Sequence, residues 1–291
     1  MKKILLGALL SSVLSAFACT TFASFNGESG SFVMAKNRDN RPDHQIVEVV
    51  SEKGKYKYVA LSRADVPDFV SAGVNEHNLA VFNEVTVEHS QLAVGGIADD
   101  FSKDILQNYR SASDIIPDLA KLVAKYPDPV FYQVADGKNL LNIEVGANHH
   151  YSYKLITNGN FVHTNNYLES SLIKQYKYSS SEVLRKQASV TRLQRAGALL
   201  DTESALSLTL MQQIGLDHNA GNDDSLYRTG KEAKPQAVRS LAFFGVQIGN
   251  SLVASKILVN LYNSGEHYSY TLDDNFWKHY TQQYTVISPQ K

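Results

Sequence analysis

"AFACTTFASF", residues 16–25, joins two kinds of sequence. To its left lies a short apolar run behind two lysines. To its right begins a stretch of β-branched and aromatic residues that reads as a strand. The only cysteine in the 291-residue chain, Cys19, sits at the seam. Whether that thiol closes a leader or opens a protein decides how everything downstream is read.

Residues 1–18, MKKILLGALLSSVLSAFA, have the form of an export signal. Lys2 and Lys3 precede an apolar run that is too short to span a bilayer. Ala16-Phe17-Ala18 is the small-x-small pattern behind which a signal peptidase cuts. The competing reading is a buried N-terminal helix. Cleavage leaves residues 19–291, long enough for one domain with a large core, and places it in the periplasm or outside the cell. No later stretch reaches the roughly 20 apolar residues of a membrane span. The full chain has 28 basic and 29 acidic side chains; without Lys2 and Lys3 the balance is 26 against 29, a mildly acidic protein. It has no basic block of the kind nucleic acid requires. A lone cysteine also excludes an internal disulfide.

Outward from the seam, strand and turn signals follow one another. Residues 20–25 and 31–36 predict a strand pair around Asn26-Gly27 and Gly30. Residues 45–50, 57–61 and 78–87 predict further strands. Residues 113–126 have helical spacing, with Ser113 as the cap. Two hairpins are expected: 130–135 with 140–145 across Asp136-Gly137, and 151–157 with 161–164 across Asn158-Gly159. Helical stretches follow at 181–200 and at 202–214, the second capped by Thr202. Residues 215–237 read as a long functional loop, and strands return at 240–248, 252–261 and 268–272. Strands at both ends with helices between them predict two packed antiparallel sheets covered by helices, an α+β chain rather than a doubly wound one.

If the chain is cut behind Ala18, Cys19 owns both a thiol and a free α-amine. Their unperturbed pKa values, about 8.5 and about 7.7–8.0, let the amine take the thiol's proton near neutral pH. Such a residue can attack an amide carbonyl, form a thioester and release an amine, as terminal nucleophiles do. Three other readings stay open at this point. One is a lipid-modified lipoprotein cysteine, against which Ala16-Phe17-Ala18 argues because lipoprotein signals favour leucine three residues earlier. The others are an inert buried thiol and an intermolecular disulfide.

Six stretches then resemble the acyl-coenzyme A:6-aminopenicillanate acyltransferases and their relatives, the choloylglycine hydrolases and penicillin V acylases. CTTF (19–22) resembles the start of the mature acyltransferases. AKNRDN (35–40) is similar to a small-x-Asn-x-Asp segment. It implies that Asp39 orients the amine or thiol of Cys19, with Lys36 where choloylglycine hydrolases have arginine; an Asx turn is the alternative. GVNEHNLAVFNEV (73–85) resembles a turn entering a strand, with Asn78 in place of glycine. It implies that Asn83 lies by the oxyanion hole, an edge-strand asparagine being the alternative. HTNNYL (163–168) resembles a His-Thr-Asn-His-Tyr-Leu segment and implies that Asn165 donates its amide to the oxyanion. SVTRLQRAGALL (189–200) places Arg192 where choloylglycine hydrolases have an active-site arginine, against a solvent-exposed helix cation. DHNAGNDDSLYR (217–228) and AVRSLAFF (237–244) resemble an Asp-His, a loop ending Ser-Ile-Cys-Arg, and a later arginine opening a strand, here Arg239.

The resemblance implies a four-layer αββα sandwich of two antiparallel sheets. It implies an amidase that hydrolyses the linear amide of an N-acyl small molecule through a thioester on Cys19. No metal and no organic cofactor are required. Acyl transfer is the alternative chemistry, and an inactive lipoprotein or binding module the alternative class. Relatives act on penicillins, conjugated bile acids and acyl homoserine lactones, and nothing in the sequence selects among these. Self-association into a homo-oligomer is left open. His149-His150 on a strand would point to opposite faces and would not share a metal ion. A Gly-x-Ser-x-Gly elbow, a His-Glu-x-x-His helix and a phosphate-binding glycine loop do not occur.

Overall fold

The computed structural model describes residues 19–26, 31–66, 69–93, 98–174, 176–203, 207–230, 236–250 and 253–290. The leader expected at 1–18 and part of the loop expected at 215–237 lie outside the described residues. In chain order the strands are Thr20–Asn26 (β1), Ser31–Asn40 (β2), Gln45–Val50 (β3), Tyr58–Arg63 (β4), Ala72–Asn75 (β5), Ala80–Val85 (β6) and Val130–Ala135 (β7). Leu140–Val145 (β8), Tyr151–Ile156 (β9), Gly159–His163 (β10), Arg239–Ile248 (β11), Lys256–Leu261 (β12), Glu266–Thr271 (β13) and Tyr284–Val286 (β14) follow. The helices are His89–Leu92 (α1), Ala98–Asn108 (α2), Ala112–Ile115 (α3), Leu119–Lys125 (α4), Ser180–Asp201 (α5), Leu208–Gly215 (α6), Gly221–Asp224 (α7) and Asp274–His279 (α8).

Two antiparallel sheets result, one in the order β10-β1-β2-β11-β12-β13, the other β14-β3-β4-β5-β6-β7-β8-β9. Side chains alternate across a strand, and on β1 and β2 both sets are largely apolar because both faces are covered. Ala23, Phe25, Phe32 and Met34 point inward with Phe244 and Val246, and pack on Val49, Val59, Val74 and Phe82 of the opposite sheet. Phe22, Val33, Ala35 and Phe243 point outward and are covered by Ala196 and Leu200 of α5 and Met211 and Ile214 of α6. On the far side, Ala60, Val81, Tyr132 and Leu141 are covered by Phe101 and Ile105 of α2, Ile115 of α3 and Leu119 of α4. The order is helix, sheet, sheet, helix: the α+β sandwich expected.

The β1–β2 hairpin pairs Thr20 with Asn37, and β11 pairs Ser240 with Asp39. These registers return the end of β2 to the start of β1. The second expected hairpin does not form. β9 pairs with β8 in the eight-stranded sheet, whereas β10 pairs with β1 in the six-stranded one. Gly159, at φ +93, carries the chain between sheets in a conformation that glycine adopts without strain. Pairing there covers the edge of β1, which would otherwise present unpaired backbone groups. Two caps also differ. Thr202 ends α5, and Ser207 caps α6 by accepting from Leu210 N. Ser111, not Ser113, caps α3. Asn148 and His149 take left-handed conformations in a short turn, so the histidine pair does not lie on a strand. No described helix is long and apolar enough to cross a membrane.

Candidate active site

Cys19 immediately precedes β1 and is 6% exposed. Its Sγ lies 4.0 Å from the backbone oxygen of Asp39, near the end of β2. The Asp39 carboxylate accepts from Ser240 Oγ at 2.8 Å through Oδ1. Its Oδ2 is buried 3.9 Å from Arg228 Nη1 and receives no hydrogen bond from the described residues. β2 is anchored beside this point by Asn37, whose Nδ2 donates to Gly215 O and Leu226 O, both at 2.7 Å.

Arg192 joins the nucleophile's strand to the loop after β10. Nη1 donates to Cys19 O at 2.6 Å and to Thr20 Oγ1 at 2.5 Å, while Nη2 donates to Asn165 Oδ1 at 2.9 Å. This places Arg192 in the interior, not on a solvent-facing helix surface. The planar fork makes such bridging possible. With its oxygen so engaged, Asn165 presents Nδ2, which donates to Val85 O at 2.7 Å and has a second hydrogen to give. One turn before Arg192 on α5, Ser189 Oγ accepts from Asn165 N at 3.0 Å and bonds Thr164 Oγ1 at 2.8 Å. Ser189 is the first letter of the SVTRL run, so its signal lay in the same stretch as that of Arg192.

Lys36 points into the layer between the sheets. Its ammonium donates to Ser71 O and Ser71 Oγ, each at 2.8 Å, and to Asn83 O. The donor role expected of Asn83 is corrected by this geometry. Its Nδ2 donates to Val70 O at 2.6 Å and Ser102 Oγ at 3.0 Å, and its backbone N–H to Ser71 O at 3.2 Å. All three hydrogens are thus spent inside the protein, and Asn83 serves instead as an acceptor for Lys36. Arg239 stands opposite Asn40, one position before Ser240. Neighbouring strand side chains take opposite faces, so Arg239 does not share the face on which Ser240 meets Asp39. Arg228, the last residue of the SLYR run, is the arginine beside that carboxylate.

Burial pushes the Asp39 carboxyl up to about 6, against the opposing pull of Arg228, Arg192, Ser240 and Lys36. Burial likewise pushes the Cys19 thiol up, with the charge of Lys36 working the other way. Arg192 is brought down to about 10, by burial first and by Arg228 second. A buried thiol of this kind needs a base within reach before it becomes a nucleophile. Among the described residues no cluster of three or more histidine, cysteine or carboxylate side chains is arranged to hold a metal ion.

The architecture around this site is an α+β sandwich of two antiparallel sheets covered by helices. No protein-family model matches the sequence, and no curated protein does. A mutant of the conjugated bile acid hydrolase from Clostridium perfringens is similar over 94% of this chain and 97% of its own, with TM-score 0.63 and 11% identity. Penicillin V acylase from Agrobacterium tumefaciens is similar over 88% of this chain and 89% of its own, with TM-score 0.57 and 13% identity. At these identities the likeness is one of fold, and function is argued from the site.

Proposed function

We propose that residues 19–291 form an exported N-terminal-nucleophile cysteine amidase that hydrolyses the linear amide of an N-acyl small molecule. One observation carries the reading: a single guanidinium, that of Arg192, binds both the carbonyl of Cys19 and the side-chain oxygen of Asn165. The fold supports it, since the two similar structures are named as a hydrolase of conjugated bile acids and an acylase of penicillin V.

Cleavage behind Ala18 frees the α-amine of Cys19. The amine accepts the thiol proton, and Asp39 Oδ2, which lacks a donor among the described residues, takes a hydrogen bond from it. The thiolate attacks the amide carbon. The oxygen that becomes negative meets the second Nδ2 hydrogen of Asn165, a contact worth about 3–4 kcal/mol in the transition state. Collapse breaks the C–N bond, and the α-ammonium returns its proton to the departing amine. Water, losing a proton to the same α-amine, then attacks the thioester, releasing the carboxylic acid and restoring the thiol. An amine in place of water gives acyl transfer, the chemistry of the acyltransferase branch of the resemblance. Coenzyme A donors are scarce outside the cytoplasm, which favours water.

Two measurements test the reading. Intact mass of exported protein is expected to give a chain starting at unmodified Cys19. A panel of chromogenic N-acyl amides, with penicillin V and a conjugated bile acid, is expected to contain a substrate for the wild type and none for Cys19→Ala. A chain that keeps residues 1–18 or carries lipid, or a wild type inactive on every amide, sinks it.

A further inference from the structure

Behind Asn165 lies a buried charged cluster that the reaction above does not use. His163 ends β10, and both its ring nitrogens face acceptors. Nδ1 is 2.6 Å from Thr164 O and 3.0 Å from Glu84 Oε2 on β6, and Nε2 is 3.0 Å from Glu144 Oε1 on β8. A carbonyl oxygen only accepts, so Nδ1 carries a hydrogen. Glu144 in turn takes Leu168 N on Oε1 and Glu169 N on Oε2, each at 3.0 Å. A carboxylate receiving two backbone N–H groups is an acceptor, so Nε2 carries a hydrogen as well. The arrangement requires an imidazolium.

This ion holds both ends of one loop. His163 Nδ1 grips the carbonyl of residue 164, Glu144 grips the amides of residues 168 and 169, and Asn165 stands between. Tyr167 adds a bond from its hydroxyl to Val145 O at 2.8 Å. The clamp also spans the sheets, because His163 lies in the six-stranded sheet and both carboxylates lie in the eight-stranded one. Asn165 bridges the same gap by donating to Val85 O.

We propose that His163 is a positioning residue: held as a cation between Glu84 and Glu144, it clamps the loop at 164–169 so that the Asn165 carboxamide is presented to the oxyanion. It touches no substrate and passes no proton in the cycle. The inference rests on the amidase reading above. The charged groups facing the ring are Glu84 from β6 and Glu144 from β8. β7 contributes the Phe131 ring at 4.3 Å, β1 places Thr21 opposite, and α5 offers the neutral Ser189 to the loop. Glu84 also acts at longer range on Cys19 and Arg192. Burial alone would strip the imidazolium of its proton, but the hydrogen bonds to Glu144 and Glu84 outweigh it and raise the group to about 9. When that proton leaves, a ring nitrogen faces an acceptor lone pair to lone pair, and the clamp opens.

The test follows the Asn165 side-chain amide and the His163 ring by NMR between about pH 6 and pH 10. Both signals are expected to move with one midpoint, and in Glu144→Gln that midpoint falls by about one pH unit or more. An Asn165 amide that ignores the His163 titration overturns the proposal. In steady-state assays the alkaline limb of kcat is expected to track the same midpoint with KM nearly constant. His163→Gln is expected to lose about tenfold or more in kcat, and a folded His163→Gln within about twofold of wild type overturns the proposal. If that variant does not fold, the shift in Glu144→Gln decides alone. A wild type that hydrolyses no amide sinks the amidase reading instead; the Asn165 titration needs no turnover and still reports whether the clamp exists.

Discussion

Asp39 shows how much one residue's ionisation depends on the covalent state of another. With residue 19 still bonded to a preceding residue, burial holds the Asp39 carboxyl at about 6, above its ordinary 3.8. A carboxyl raised in this way contributes stability below about pH 4 that is lost as pH rises through its folded value. A free ammonium at residue 19 pulls the value back down, because an opposite charge within a few ångströms favours the carboxylate. Carboxyl-carbon NMR of Asp39 is therefore expected to give a lower midpoint in the cleaved protein than in the leader-bearing chain; equal midpoints would exclude its orienting role. Arg192→Lys keeps a charge but not the fork that spans Cys19 O and Asn165 Oδ1. It is expected to cost about a hundredfold in kcat, measured on whichever amide the panel selects, and near-normal turnover would contradict the bridging role. The structure brings together Cys19, Asp39, Arg192 and Asn165, each of which sits in a short run whose neighbours carry the signal. Asn83 departs from expectation because the direction of its amide depends on Val70 and Ser102, which no local pattern brings to it. Arg228 is in view at the end of SLYR, but a long loop does not reveal which of its arginines turns inward.

At the scale of elements, α5 does two jobs with one stripe. Ser189, Arg192, Ala196 and Leu200 are among its buried residues, at helical spacing; the first two meet the loop after β10, the last two pack on the six-stranded sheet. Ser189→Ala leaves the buried Asn165 N–H without its acceptor, at a cost of about 1–3 kcal/mol. A thermal melt is expected to show a drop of roughly 2–8 °C, with kcat falling more than KM rises; an unchanged melt would contradict the bond. Gly215, the last residue of α6, is closely packed: a Cβ there would stand 3.0 Å from Asn37 Oδ1 and from Phe243 Cδ2. Gly215→Ala is expected to lower stability by about 1–3 kcal/mol, since it must displace Asn37, held by two hydrogen bonds, or the buried Phe243 ring; urea unfolding measures it. Strands 45–50, 130–135 and 140–145 are readable to the residue, because composition and turn signals bound them locally. β5, Ala72–Asn75, is not: four residues, two of them small, give no period. The choice between Thr202 and Ser207 as a cap, and the sheet that β10 joins, are decided by tertiary packing, which overrides local signals.

Across the whole molecule, the two sheets are joined mostly by apolar contacts, which do not depend on pH. The His163 cluster is different, because it links the sheets through charge. A histidine raised from 6.5 to about 9 contributes stability that is complete below about pH 6.5 and lost as pH rises through about 9. At about 1.4 kcal/mol per pH unit, the full loss is about 3–4 kcal/mol, most of it reached by about pH 9. Other shifted groups act elsewhere on the pH axis. His77 and His89 are both lowered, by burial first, so their contributions vanish as pH falls below 6.5. Burial alone would raise Glu144, but His163 together with the amides of Glu169 and Leu168 lowers it, so its share is lost only in acid. Tyr109 and Tyr268 are raised by burial, and their contributions begin to decline only above about pH 10. Between pH 6.5 and about pH 9 His163 is therefore the main contributor among these groups, and in the cleaved chain the α-amine of Cys19, ordinarily at about 7.7–8.0, titrates in the same interval. Urea unfolding at closely spaced pH values is expected to show stability declining by about 2–3 kcal/mol across that interval in the wild type. In His163→Gln the starting stability is lower and the decline is smaller by most of that amount. A decline of equal size in that variant would mean that some other group links the sheets to pH.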